Sequence, residues 1–169
     1  DNNYYIVSNY YKDSIFNLLN KALNYPDTNH IFYKSASQIT SYNENQLCSM
    51  SNRIRGFVKI QDGCNQFCSY CVIPYLRGRS RSRVPKDILQ EIENMASNGY
   101  KEIVLLGINL GYYGTDLQDK KINLPKLIQE IEKIPQIERI RLSSIELPWI
   151  NDELINVFYS SSKLCHHLH

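Results

Sequence analysis

No run in this 169-residue chain approaches the roughly 18 apolar residues needed to cross a bilayer, which argues against a membrane span. The start, Asp1-Asn2-Asn3, has neither the basic residues nor the apolar stretch of a signal peptide, and it has no initiator Met. A cytoplasmic protein cut from something longer is the expectation. A disulfide framework is also absent. The five cysteines are Cys48, Cys64, Cys68, Cys71 and Cys165, an odd number with three packed into one short segment. A reduced compartment and a metal site fit that spacing better. Acidic residues are scarce in one window: from Arg53 to Lys86 there are eight basic residues and one acid, Asp62, which is about +7 against a total of +2. A field of that kind suits an anionic partner such as RNA phosphates, or else marks a solvated basic loop.

What is present divides into two regions. Tyr4-Tyr5-Ile6-Val7-Ser8 predicts a short strand, and residues 13–23 predict a helix with Ile15, Phe16, Leu18, Leu19, Ala22 and Leu23 on its apolar face. One strand and one helix cannot close a core, so this region reads as the tail of an α/β domain. The stretch 25–52 is polar and aperiodic, with one short strand expected at 30–33. From Arg55 the pattern changes to strand 56–60, a cysteine loop, helix 86–98 closed by Gly99, and strand 103–106. Helix 124–134 opens with Pro125, strand 140–144 and helix 151–159 follow, and a fourth strand begins at 165. Strand and helix alternating in this way predict a parallel sheet with right-handed crossovers. Three such units neither close a barrel nor make a comfortable open sheet.

The informative segment is Cys64-Asn65-Gln66-Phe67-Cys68-Ser69-Tyr70-Cys71. Three thiolates at Cys-x3-Cys-x2-Cys spacing can converge from one loop onto three corners of a cubane. Because a 4Fe–4S cluster normally takes four protein sulfurs, one iron would be left open for chemistry. A zinc site completed by Cys48 or His30, or a non-catalytic iron–sulfur carrier, are the competing readings. Gly63 lets the backbone turn tightly before the first cysteine, and Tyr70 sets an aromatic ring directly before the last, where it could lie beside a bound base.

This motif, between a strand and a helix in a βα-repeat chain, resembles the signature of the radical S-adenosylmethionine (SAM) superfamily. The flanks, Phe57-Val58-Lys59-Ile60-Gln61-Asp62-Gly63 and Val72-Ile73-Pro74-Tyr75-Leu76-Arg77-Gly78-Arg79-Ser80-Arg81-Ser82-Arg83, resemble the methylthiotransferases. Asn98-Gly99-Tyr100-Lys101-Glu102-Ile103-Val104-Leu105-Leu106-Gly107-Ile108-Asn109-Leu110-Gly111-Tyr112-Tyr113-Gly114 is most similar to the enzymes that act on threonylcarbamoyladenosine in tRNA. The isopentenyladenosine branch usually has Gly-Gln-Asn-Val after this strand and the ribosomal-protein branch a Gln-Asp pair; neither is present.

The resemblance implies a partial (β/α) barrel over 55–169, a linker over 47–54, and the end of an N-terminal methylthiotransferase domain over 1–46. It implies that Cys64, Cys68 and Cys71 ligate a 4Fe–4S cluster and that SAM chelates the open iron, to be split on reduction into methionine and a 5′-deoxyadenosyl radical. Tyr70, Gly107, Asn109, Ser143, Ser144 and Glu146 would contact SAM, the Gly107-Ile108-Asn109 turn through backbone groups. Turn or helix capping is the other reading for the serines. The family's second cluster lies on three further cysteines of the N-terminal domain, which this sequence does not contain, and its C-terminal RNA-binding domain is also missing. The implied partners are the tRNA anticodon region, a reductant protein and a sulfur donor, with no membrane. The chain alone is therefore expected to be unable to methylthiolate tRNA.

Three further features carry expectations. Arg77, Arg79, Arg81 and Arg83 alternate, so an extended segment would present four guanidinium groups on one side, to RNA or in salt bridges to the barrel rim. Tyr112 and Tyr113 are candidates for base stacking or for packing. Cys165-His166-His167-Leu168-His169 invites a metal reading but resembles the start of the family's fourth strand, and Cys48 reads as a free thiol.

Overall fold

The computed structural model describes residues 4–25, 29–42, 54–119 and 121–169. Near the N-terminus, β1 (Tyr5–Val7) and β2 (His30–Phe32) pair in parallel, joined through a 3-10 turn and α1 (Ile15–Leu23). The expected helix thus begins as a 3-10 turn over Asn9–Ser14 before it becomes regular. Only Ala22 of α1 is buried, while Phe16 and Leu23 are each 73% exposed. That apolar face makes no core with the rest of the described chain. The linker expected at 47–54 lies, except for Ile54, outside the described residues, as does Cys48.

The second region is built on β3 (Arg55–Lys59), with the short β4 (Gln61–Asp62) immediately after it. Then come α2 (Ile73–Arg77), β5 (Arg81–Ser82), α3 (Pro85–Ser97), β6 (Glu102–Leu106), α4 (Leu124–Glu132), β7 (Arg139–Leu142) and α5 (Asp152–Ser160). β3, β6 and β7 form a parallel sheet in that order, in register Val58↔Leu105 and Leu105↔Leu142. Sequential strands lie side by side, as crossover helices require. Beyond β7, the Ile140 N–H donates to Lys163 O and Cys165 N–H to Ile140 O, so Leu164 makes a single parallel bridge to the sheet edge, where the sequence suggested a fourth strand from 165.

Strand alternation divides the sheet into two faces. Gly56, Val58, Ile103, Leu105, Ile140 and Leu142 face the helices. There they meet Ile88, Ile92, Ile128, Ile131, Leu154 and Val157 in one core. Phe57, Val104 and Arg141 lie on the opposite face, which none of these helices covers. The helix boundaries follow from local chemistry. Pro85 and Pro125 occupy first turns, where a missing N–H costs nothing, and the Asn123 and Asn151 side chains accept from Lys126 N–H and Leu154 N–H.

At the N-terminal edge of the sheet, Glu102 is 4% exposed and ties all three strands together. It accepts from Arg139 Nε at 3.0 Å and Arg141 Nε at 3.1 Å, and pairs with Arg55 Nε at 2.7 Å. Burial raises this carboxyl's pKa, but the three guanidinium hydrogen bonds outweigh it and hold the group below its ordinary value.

Glu102→Gln should therefore cost about 2 kcal/mol in urea unfolding, since the arginines keep some access to water. A carboxyl depressed in the folded state stabilises above its ordinary range and loses that effect as pH falls through the folded value. The gap between wild type and variant should close on acidification, and a pH-independent gap would contradict the assignment.

Candidate functional site

The cysteine loop leaves the sheet at the C-terminal end of β3, the end of a parallel sheet where ligands generally bind. Gly63 turns the chain there with φ +73°, and the carbonyl of Arg79 fills the space a side chain would need. Cys64 N–H donates to Gly78 O at 3.1 Å, Gln66 N–H points at Cys64 Sγ at 3.4 Å, and Cys71 N–H donates to Cys68 O at 2.9 Å. Asn65 Oδ1 accepts from Ser80 N–H at 3.1 Å, fastening the loop's start to its return. Cys64 is buried, whereas Cys68 and Cys71 are half-buried. Between them, Phe67 adopts φ +49°, a left-handed conformation that costs an ordinary residue about 1–2 kcal/mol. Its ring is held by the Arg79 guanidinium at 4.3 Å and by the edge of Tyr75 at 5.8 Å.

Gln61 fixes this loop to the neighbouring strand. Its side chain is fully buried; Nε2 donates to Gly63 O at 2.7 Å, Ser80 Oγ at 2.9 Å and Asp62 O at 3.1 Å. Oε1 accepts from Ile108 N–H at 2.8 Å and Asn109 N–H at 3.1 Å. Every donor and acceptor of the amide is therefore engaged. Sequence reasoning passed over this residue, although a glutamine closing an apolar strand just before the first cysteine was a visible signal.

The turn after β6 is correspondingly constrained. Gly107 N–H donates to Ser143 Oγ at 3.1 Å, so the amides of Gly107, Ile108 and Asn109 are all engaged within the protein. The Asn109 carbonyl is engaged as well, accepting from Tyr112 N–H at 3.1 Å. Asn109 is buried, accepts from Gly111 N–H at 3.1 Å, and its NH2 group has no hydrogen-bond partner among the described residues. Ser144 Oγ lies 3.2 Å from His169 Nδ1. Tyr70 stands 89% exposed, with its phenol raised above the ordinary value by Cys68 and, further off, by Glu146. Tyr112, from the turn after β6, reaches the cysteine loop: its hydroxyl meets Gln66 Oε1 at 3.0 Å, and burial with Cys64 and Cys68 nearby pushes its pKa up. Tyr113 does not. It is buried and donates to Arg83 O.

The four arginines are not a one-sided row, which corrects the extended-segment expectation. Arg77 ends α2, and Gly78 with φ +78° turns the chain before β5 begins. Arg81 is buried, donates to Arg77 O and Arg79 O at 2.8 Å each, and pairs with Asp62. Arg83 is 4% exposed and pairs with the buried Glu91. Asp62 also takes Lys59 at 2.6 Å and Arg77 at 3.3 Å, so the single acid of the basic window serves three cations. Lys59 and the other hydrogen bonds outweigh its burial and keep its pKa low. Asp62, Glu91 and Glu102 thus tie five of the window's cations, Arg55, Lys59, Arg77, Arg81 and Arg83, into the fold, while Lys86 and Arg79, the latter displayed on an aromatic ring, stay exposed.

A family model described as the radical SAM superfamily matches residues 58–159, well over half of the chain. The chain belongs to the radical SAM superfamily. Its relatives lie in the methylthiotransferase branch. It is 43% identical over 139 residues to the threonylcarbamoyladenosine tRNA methylthiotransferase of Chlamydia pneumoniae, covering 82% of this chain and 32% of the relative. The Bacillus subtilis enzyme of the same name is 43% identical over 76% of this chain and 28% of its own. The tRNA-2-methylthio-N(6)-dimethylallyladenosine synthase of Carboxydothermus hydrogenoformans is 46% identical over 69% and 26%. The chain therefore spans about a quarter to a third of the length of these relatives.

Radical SAM proteins use a 4Fe–4S cluster and SAM. The donor set here fits that group in kind: three thiols on one tightly turned loop, a backbone N–H aimed at one sulfur, and an orphaned buried NH2 on Asn109 beside the turn. Among the described residues, no three His, Cys, Asp or Glu side chains are arranged around a single metal ion. A cubane's corner ligands stand farther apart than the ligands of one ion.

Gln61→Ala would strand the Ile108 and Asn109 amides and release the loop, so we expect a loss of about 2–3 kcal/mol in stability. Iron retention after reconstitution should fall with it. Gln61→Glu keeps the acceptor but sets a carboxylate against the Asp62 and Gly63 carbonyls, and should lose iron as well. Wild-type stability and iron content in both variants would remove the clamp's role.

Proposed function

We propose that this chain carries the SAM-cleaving part of a tRNA methylthiotransferase that modifies C2 of N6-threonylcarbamoyladenosine next to the anticodon. The observation that supports it most is the three-cysteine loop clamped by Gln61 at the C-terminal ends of parallel strands. Cys64, Cys68 and Cys71 would hold the cluster, leaving one iron for SAM. Tyr70, Gly107, Asn109, Ser143, Ser144 and Glu146 would surround SAM, with Ser143 acting through Gly107. The chemistry this cofactor pair supplies when bound is one-electron reductive cleavage of SAM. The chain's own share is to keep the loop in one shape, shelter Cys64, and set the Tyr70 and Tyr112 rings beside the sulfurs.

The threonylcarbamoyl assignment is supported by the Gly107-Ile108-Asn109 segment. The identities themselves, 43% and 46%, do not separate the two. Residues 55–169 would be part of a (β/α) barrel whose uncovered sheet face, with Phe57, Val104 and Arg141, lines the interior. Residues 1–46 would belong to the N-terminal methylthiotransferase domain, for which the exposed apolar face of α1 and the short β1–β2 pair are support. The second cluster would sit in the full-length enzyme, and the tRNA anticodon region, a reductant protein and a sulfur donor would be partners. Among the described residues no helix is long and apolar enough to cross a membrane. A cytoplasmic location suits a tRNA substrate.

Anaerobic reconstitution tests the core of the proposal. About four irons per chain, lost in Cys68→Ala, with 5′-deoxyadenosine formed from SAM after dithionite, is the expected result. One tightly held zinc without acid-labile sulfide would turn the loop into a structural site and sink the reading.

A further inference from the structure

The N-terminal region meets the cysteine-bearing region through a short strap, residues 36–42, that no role given so far uses. Ala36 and Ile39 of the strap are buried, and its 3-10 turn over Ala36–Gln38 packs against α2, the helix that follows Cys71. Tyr42 reaches the end of β3, where its hydroxyl donates to Lys59 O at 3.0 Å. Burial pushes that phenol's pKa up, so it stays protonated and remains a donor. A cavity of about 20 Å³, bounded by Asn9, Lys12, Ile39, Tyr42, Asp62 and Arg81, is left between the two regions here. It has room for about one water molecule, so the contact is closed.

Both ends of the strap lead to one residue. From Tyr42 the path runs through Lys59, whose carbonyl takes the tyrosine and whose Nζ reaches Asp62 at 2.6 Å. The same carboxylate accepts Gly63 N–H at 2.9 Å, and Gly63 is the residue before Cys64. From Ala36 the path runs through Gly78. The Ala36 carbonyl stands 2.5 Å from the place a Gly78 side chain would take, and Gly78 O accepts Cys64 N–H at 3.1 Å. The two backbone anchors of Cys64, one before it in the chain and one across the loop, therefore both rest on the strap. Cys71 N–H, by contrast, is bonded to Cys68 O inside the loop.

We propose that the strap is a latch on the first cysteine, with Tyr42 as the positioning residue through which the N-terminal region sets the shape of the cysteine loop. Tyr42 acts through Lys59, Asp62 and Gly63. With the latch closed, Cys64 keeps one backbone position; with it open, the start of the loop gains freedom and metal held there is released faster. The inference rests on the radical SAM reading only for its iron readout, because the strap contacts belong to the chain itself.

Tyr42→Phe tests the latch, since it deletes one hydroxyl and keeps the ring. Asn151→Ala is the control: it removes the side-chain cap of α5, a loss comparable to one hydrogen bond, outside both the strap and the loop. The full 169-residue chain and both variants would be reconstituted anaerobically with iron and sulfide, and iron release to an excess of ferrous chelator followed by the decay of visible absorption. Hydrogen exchange of the iron-free chains would be read by mass spectrometry. In Tyr42→Phe we expect iron release and exchange over residues 63–71 each to be about threefold faster or more, with exchange in β6 and β7 unchanged. Asn151→Ala should release iron at the wild-type rate and exchange faster only around α5. A wild-type rate in either measurement for Tyr42→Phe overturns the latch, and so does an acceleration that Asn151→Ala reproduces, which would mark general loosening. If no chain loads iron, the cluster reading fails by itself, and loop exchange in the iron-free chains decides the latch.

Discussion

Everything near the cysteines depends on one buried amide. A glutamine side chain has two donors and an oxygen with two lone pairs, and Gln61 places all of them inside the protein. It closes the start of the cysteine loop against Ser80 and, from its other end, holds the turn after β6. An apolar residue here would leave the Ile108 and Asn109 amides buried and unpaired, and a carboxylate could not donate. Only an amide of this length joins the two loops. The turn after β6 then passes the constraint on, through Gly107 N–H to Ser143 at the end of β7. Three strand ends are registered on one another by a chain of short hydrogen bonds rather than by the apolar core beneath them.

The same economy governs charge. A loop presenting eight basic residues would resist folding against itself unless its cations found partners. Asp62 lies at the point where β4 and β5 pair, opposite Arg81, so one carboxylate reaches Lys59, Arg77 and Arg81 together. Arg83 crosses to Glu91 on α3, and the adjoining backbone is held by Asp116, whose carboxylate accepts Ser82 N–H through both oxygens. Arg81 and Arg83 are therefore part of the scaffold, while Arg79 and Lys86 remain at the surface.

How much of this could be read in the sequence follows from the range of the interactions involved. The strands and helices of the second region were legible to within a residue or two, because apolar period, Pro at helix starts and Asn caps are local signals. The cysteine spacing was legible for the same reason. The helix over Ile73–Arg77 and the two-residue β4–β5 pair were not, being too short for a period to register. The arginines misled because alternation means a common side only in an extended strand, and Gly78 breaks the strand. Gln61, Glu102 and Trp149 act on residues 19 to 48 positions away or on a facing glycine, and nothing in the neighbouring sequence announces such partners.

One consequence concerns the cost of loading a cofactor. A loop that must converge on a cluster from many conformations would lose chain entropy on binding. This loop has already lost it. Cys64 N–H is tied to Gly78, whose own position is braced from outside: a side chain at Gly78 would strike the carbonyl of Ala36, in the turn after β2. Tyr42 adds a second tie from the same segment, donating to Lys59 O at 3.0 Å. Phe67 keeps its left-handed backbone under Arg79 and Tyr75, a strain that unbraced chain would relax. The segment before the linker thus acts on the cysteine loop directly, and the loop's shape is set from both the sheet side and the outer side. A ligand taken up by a loop braced in this way would cost less reorganisation, and Tyr70 is the loop's most exposed ring.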